Sequence, residues 1–172
     1  MIRTERLELV PWDDAHVDAV VRIADSYRVW LNLRDTFPHP YTAEDARGWV
    51  AFNRELEGPT QNFALLRDGE LVGGAGVEPL EDVQRIGGEI GYWLGEPYWG
   101  HGYATEAVRA LTEYAFSEMD LMRCEAGVFG YNLASVRVLE KAGYAHEGTL
   151  RRAVLKDGRI TDRLLYAKLR EE

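Results

Sequence analysis

One cysteine, Cys124, stands in the whole chain. No disulfide can close within it, and a reducing compartment such as the cytoplasm is the expected home. Long apolar runs are missing as well. No stretch approaches the roughly 20 residues of a membrane-spanning helix. The first residues, with Arg3, Glu5, Arg6 and Glu8, are too charged for a secretory leader. Positive charge is scarce. A formal net charge of -9 leaves no basic footprint for a phosphate backbone, so nucleic acid is not an expected partner. The same surplus favours encounter with cationic molecules, amines among them, although it also serves solubility alone. His16, His39 and His146 show no ligand spacing with one another or with Cys124, and no metal is expected. Internal repeats, low-complexity tracts and Pro/Ser-rich linkers are absent too.

What is present suits one domain. The 172 residues, 46% hydrophobic and 28% charged, can bury a core without staples and leave no room for two ordinary domains, so 1-172 reads as a single unit. The pattern switches between period 2 and period 3.6, as in a mixed α and β domain. Arg6–Val10 alternates Leu7 and Leu9 against charges, a first strand. Asp13 can cap a helix with Val17, Val20, Val21 and Ala24 on one face. Leu31–Tyr41, with Pro38 and Pro40, reads as a loop, and Thr42 with Asp45 opens a second helix as a capping box. Asp68-Gly69 and Asp157-Gly158 are two-residue turn signals, predicting hairpins of Phe63–Leu66 with Leu71–Val77 and of Arg152–Leu155 with Ile160–Leu169. Ile86–Leu94 is a Gly-rich strand, which points to a bulge or a close backbone approach. Ala104, Ala107, Val108, Leu111, Tyr114 and Ala115 form a helical stripe. Leu121–Val128 reads as a strand and Asn132–Ala142 as a helix ended by Gly143. The expected fold is α/β, one mixed, mostly antiparallel sheet with helices on both faces, in the order β-α-α-β-β-β-α-β-α-β-β.

One turn carries chemistry. Tyr98-Trp99-Gly100-His101-Gly102-Tyr103-Ala104-Thr105 joins a strand to the strongest helix. Small residues there leave backbone amides unshielded, at a helix start whose free N–H groups and dipole favour an anion such as phosphate. Such turns also serve tight packing alone. A dinucleotide fingerprint would need a third Gly where Thr105 stands, and a P-loop would need Gly-Lys-Ser/Thr, which is missing.

Glu89-Ile90-Gly91-Tyr92-Trp93-Leu94, followed by Tyr98 to Ala107, resembles the GNAT superfamily of N-acetyltransferases, in its RimJ/RimL branch of ribosomal-protein N-terminal acetyltransferases. Asn132 to Tyr144, Pro38 to Thr42 and Thr4 to Leu7 resemble the same branch, so the likeness covers nearly the whole chain. It implies the acyl-CoA N-acyltransferase fold. It also implies that backbone amides of Trp99, Gly100, His101, Gly102, Tyr103, Ala104 and Thr105 hold the pyrophosphate of acetyl-CoA, while the backbone of Trp93 and Leu94, on a splayed strand, pairs with the pantetheine arm. The superfamily prefers Gln or Arg where Trp99 stands, and the branch often has Lys where His101 stands. His101 reads equally as a solvated side chain.

Three further residues have two readings each. Asn132 is a helix N-cap, and in the resembling family also a contact to the cofactor arm. Ser135 is a small residue in a helix-sheet contact, or the donor that protonates the departing thiolate. Many relatives place a Tyr four positions later, where this chain has Leu139. Glu89 is a charge at a strand end, or the base that takes a proton from an ammonium substrate. Cys124, in a predicted strand, reads as a buried apolar residue rather than a nucleophile.

The implied reaction is direct attack of an amine on the acetyl thioester in a ternary complex. The acceptor is a protein N-terminal α-amino group by analogy with the branch. A polyamine or another small amine is the alternative, as is a non-catalytic acyl-CoA sensor. A nicotinamide oxidoreductase is disfavoured by the incomplete glycine fingerprint. By the same analogy, the Leu31–Tyr41 loop and the Asp157-Gly158 hairpin border the acceptor groove. Family members often pair, so a homodimer is an expectation of the resemblance alone.

Overall fold

The computed structural model describes residues 1–171. Among them eight strands form one sheet: β1 (Ile2–Arg3), β2 (Glu8–Pro11), β3 (Asn62–Arg67), β4 (Glu70–Pro79), β5 (Gly87–Leu94), β6 (Arg123–Phe129), β7 (Ala145–Lys156) and β8 (Arg159–Leu169). Their spatial order is β1-β2-β3-β4-β5-β6-β8-β7. Only β5 and β6 run parallel; the other neighbours are antiparallel. Both hairpins close on Asp-Gly turns in the left-handed region, with φ of 50° and 80° at Asp68-Gly69 and 49° and 72° at Asp157-Gly158. That conformation matches the twist of the ribbons they join.

Alternation along the strands sends side chains to two cores. Leu9, Phe63, Leu65, Val72 and Ile90 face one side, where α4 (Tyr103–Ser117) lays down Ala107, Val108, Leu111 and Ala115. Beside it α5 (Leu133–Ala142) adds the fully buried Leu139. Ala64 and Leu71 face the other side, under Val17, Val20 and Ile23 of α1 (Val17–Ala24) and Ala46 and Val50 of α3 (Ala43–Glu55). Each large apolar side chain so buried stabilises the fold by roughly 1.5–3 kcal/mol. The caps are local. Thr42 and Asp45 form the capping box of α3, Asn132 accepts from the Ser135 N–H at the start of α5, and Gly143 ends α5 at φ +90°. Asp13 caps a short 3-10 turn leading into α1 rather than α1 itself.

The architecture is the expected mixed, mostly antiparallel sheet with helices on both faces. The element order gains a two-residue strand, β1, and a one-turn helix, α2 (Tyr27–Trp30), whose Ser26 caps the Val29 N–H. Both are too short to carry a hydrophobic period. Strand β7 starts at Ala145, well before the expected Arg152, because it is a solvent-exposed edge with almost no buried position to alternate. In β5 the anticipated bulge is missing, and its register with β4 runs unbroken from Gly73↔Leu94 to Pro79↔Gly88. Close approach is right at Gly88, where a Cβ would sit 2.7 Å from Leu121 and 2.8 Å from Val77.

Candidate functional site

The site begins where two parallel strands part. Strand β5 pairs with β6 only at Gly87↔Arg123, Gly88↔Cys124 and Glu89↔Glu125. Beyond Glu89, β5 stays with β4, and β6 continues along β8 to Phe129↔Arg163. Ile90 to Leu94 therefore turn one backbone edge into a wedge-shaped gap, and the polar groups on that edge need partners from elsewhere. One is supplied internally: the Trp99 indole N–H donates to the Leu94 carbonyl at 2.8 Å. This gives the Trp99 side chain a task, pinning the end of β5 to the turn that follows. Of the two expected backbone contacts on β5, the Leu94 carbonyl is thus already engaged, whereas Trp93 pairs with Gly74 of β4.

That turn is shaped by two glycines. Gly100 and Gly102 have φ of +81° and +83°, a region that costs other residues strain. Gly102 is the N-cap of α4, and the first helical bond there runs from the Glu106 N–H to the Gly102 carbonyl at 3.1 Å. The amides of Tyr103, Ala104 and Thr105 precede that bond and have no intrahelical acceptor. His101 is exposed, and its carbonyl accepts from Arg6 at 2.9 Å. The Tyr103 ring is buried under the guanidiniums of Arg6 and Arg67, 4.9 and 5.3 Å from its centroid, so only its backbone can face a ligand. A carboxylate in the first turn, Glu106, does not spoil the anion site. Burial alone would raise its carboxyl, yet hydrogen bonds from Thr4 and Arg6 hold it below the usual range, and Arg6 neutralises it at 2.7 Å.

The gap has two mouths, one on each face of the sheet. On the α4/α5 face the Tyr92 hydroxyl lies 2.6 Å from Ser135 Oγ and donates to the Ser135 carbonyl at 3.3 Å. Burial pushes the Tyr92 phenol up to about 12, a shift only partly opposed by Ser135, so it stays protonated at neutral pH. Asn132 spends its side-chain oxygen on the Ser135 N–H at 3.1 Å, which leaves its amide donors for a ligand. Leu139 is core. Tyr92, absent from the residues singled out in the sequence, brings a phenol to Ser135 from the strand.

On the opposite face Glu89 is joined by two residues that the sequence did not mark. Arg163 of β8 donates to Glu89 Oε1 at 3.0 Å, and Arg34 donates to the same oxygen. Among the described residues nothing bonds to Oε2. Arg163 has its seat at Gly127, where an added Cβ would stand 2.2 Å from Nε. Next along β5, Gly91 is exposed in a central strand, with nothing within 4 Å of an added Cβ. It forms the open floor of a trough ended by Trp93, whose ring meets Phe37 edge-on at 5.4 Å.

The two segments expected to border this trough are fastened to one another. Lys156, 2% exposed, pairs with Asp35 at 2.6 Å and lies 3.5 Å from the centre of the Trp30 ring. Tyr27 donates to Asp157 at 2.6 Å, and Tyr131 donates to the Leu31 carbonyl at 2.5 Å. Cys124 is fully buried, and burial pushes its thiol up to about 12, which removes it as a nucleophile. Among the described residues, no three His, Cys, Asp or Glu side chains gather as a metal-binding group.

Comparison with known proteins places this geometry. The model of the acetyltransferase (GNAT) domain matches residues 6–145. An uncharacterized N-acetyltransferase, p20, of Bacillus licheniformis is 34% identical over 98% of this chain and 96% of its own. The ribosomal-protein-serine acetyltransferase of Escherichia coli (strain K12) is 28% identical over 96% of this chain and 94% of its own. Mycobacterium smegmatis RimJ, solved in complex with CoA-disulfide, superposes with a TM-score of 0.84 at 26% identity, covering 95% of this chain and 81% of that one.

Proposed function

The chain belongs to the GNAT acetyltransferase family, and we propose that it transfers the acetyl group of acetyl-CoA to a protein N-terminal α-amino group by direct attack in a ternary complex. One observation carries this reading: β5 parts from β6 after Glu89, and the end of the freed strand is pinned by Trp99 to the turn that opens α4 at Gly102. The residues fit the ligand. Unpaired amides from Gly100 to Thr105 suit a pyrophosphate at a helix N-terminus. The freed edge of Ile90–Leu94 suits the amide-bearing pantetheine arm, with Asn132 beside it.

Each mouth of the gap then has its own role. From the trough over Gly91 the acceptor nitrogen reaches the gap, and Glu89 Oε2 takes its proton, directly or through a water. The amine lone pair forms the new C–N bond as the thioester C–S bond breaks. The Ser135–Tyr92 pair on the other face hands a proton to the leaving sulfur. Most of the acceleration comes from holding two substrates in line, with a backbone N–H of the freed edge polarising the carbonyl. No acyl-enzyme is formed, in keeping with the inert Cys124.

The E. coli relative's name, ribosomal-protein-serine acetyltransferase, supports a protein acceptor over a polyamine. The open floor at Gly91 and the free Glu89 oxygen count against a non-catalytic sensor, which would need neither. A reaction that draws on acetyl-CoA fits the cytoplasm as its compartment. Titration calorimetry tests the co-substrate: coenzyme A should bind and NAD should not, and preference for NAD would refute this reading.

A further inference from the structure

We propose that Arg34 and Arg163 form an anion subsite beside Glu89, so that the acceptor is an amine with a carboxylate close to the reacting nitrogen. The inference rests on the acetyl-transfer reading of the same trough. Two guanidiniums converge on one oxygen of one carboxylate, and neither donates to any other group among the described residues. Each has five N–H donors in a planar fork, the geometry that binds carboxylates in pairs of bonds. Most of that capacity is unspent. Arg163 is held in place rather than waving in solvent: its side chain is 34% exposed, and Gly127 exists as a glycine under it.

Charges of both signs face this spot. Glu78, Glu89 and Glu125 lie in one row across β4, β5 and β6. Arg123 is shared between Glu147 at 2.6 Å and Glu125 at 3.1 Å, Glu78 acts on Arg34 through space, and Arg34 and Arg163 hold Glu89. With Arg123 spent on Glu125 and Glu147, the two guanidiniums left, Arg34 and Arg163, face two carboxylates, Glu78 and Glu89. Their arrangement is dipolar: a free carboxylate oxygen at Glu89 Oε2, beside unspent guanidinium N–H groups. A ligand with an ammonium and a nearby carboxylate matches both poles, and a polyamine matches only one. Two sources offer that chemistry, a free α-amino acid and a peptide whose first or second residue is acidic.

The test is equilibrium binding to the enzyme saturated with coenzyme A, by calorimetry. The ligands are amidated tetrapeptides with Asp or Asn at the first or second position, and alanine against alaninamide. The acidic member of at least one pair should bind about tenfold tighter or better, as a charge-assisted hydrogen bond implies. The peptide or the amino-acid pair that shows it names the source. Arg163→Gln and Arg34→Gln should each shrink the ratio. Gly127→Ala should shrink it too, because its methyl displaces the Arg163 guanidinium without removing the charge. Coenzyme A affinity reports that each variant is folded. Equal affinities within every pair, no binding by any ligand, or a ratio that survives Arg163→Gln would overturn the subsite. Absence of turnover on all amines alongside a clear acid preference would instead sink the acetyl-transfer reading and leave the subsite standing.

Discussion

The Tyr92 hydroxyl and Ser135 Oγ lie 2.6 Å apart across the gap that β5 opens from β6, joining the splayed strand to helix α5. If they relay one proton to the departing sulfur, they act as a unit and their losses do not add. Tyr92→Phe and Ser135→Ala should each lower kcat by about 10²-fold, the scale of a general acid. The double variant should be little slower than the worse single one. Steady-state rates for the four proteins decide it, and multiplicative losses would mean that the two hydroxyls act separately.

Gly102 stands at φ +83° and would place a Cβ 3.4 Å from an Arg6 nitrogen. Gly102→Ala should cost about 1–2 kcal/mol of stability through left-handed strain. It should also weaken coenzyme A binding, because the amides of the turn must shift to relieve that strain. Urea melts and calorimetry measure the two effects. Unchanged coenzyme A affinity would take the turn out of the binding site.

Gly91 tests the acceptor trough without touching any charge. A valine there meets no atom within 4 Å of its Cβ and suits a strand, so the fold should hold. KM for the acceptor should rise at least about tenfold, as expected when the floor of a shaped pocket is filled. The coenzyme A dissociation constant should stay put. A rise in both would mean that the cofactor, not the acceptor, runs over Gly91.

Stability should fall steeply in alkali. Burial raises Tyr41 and Tyr92 to about 12 and Cys124 from 9.0 to about 12, and raises Tyr144 as well. The unfolded chain then loses these protons before the folded one does. Stability from these groups is complete below about pH 9 and drains away as pH climbs from 9 towards 12. Thermal melts across that range should show a falling Tm, and a flat profile would contradict the burial assigned to these side chains.

The sequence made the scaffold legible where signals are local. Asp-Gly turns, the Thr42–Asp45 box, the Asn132 cap and the α4 stripe all stand within a few residues of what they determine. Glu89 and Ser135 were singled out because a motif held them. Arg34 and Arg163 were not, since their meeting at Glu89 spans 55 and 74 residues and depends on sheet register. Gly127, a glycine in a strand with no turn to make, was the one available sign of a guanidinium lying over the backbone. Tyr92 was quoted within a motif yet passed over, because strand alternation alone does not say that its face meets α5.

Thiol release from acetyl-CoA, against a panel of N-terminal peptides, amino acids and polyamines, measures the transfer itself. Turnover is expected with an α-amino acceptor. Glu89→Gln should slow it at neutral pH and recover as pH rises toward the acceptor's own pKa of roughly 8, where the free amine no longer needs a base. Coenzyme A binding with no thiol release on any amine would contradict an acetyltransferase and leave a binding module in its place.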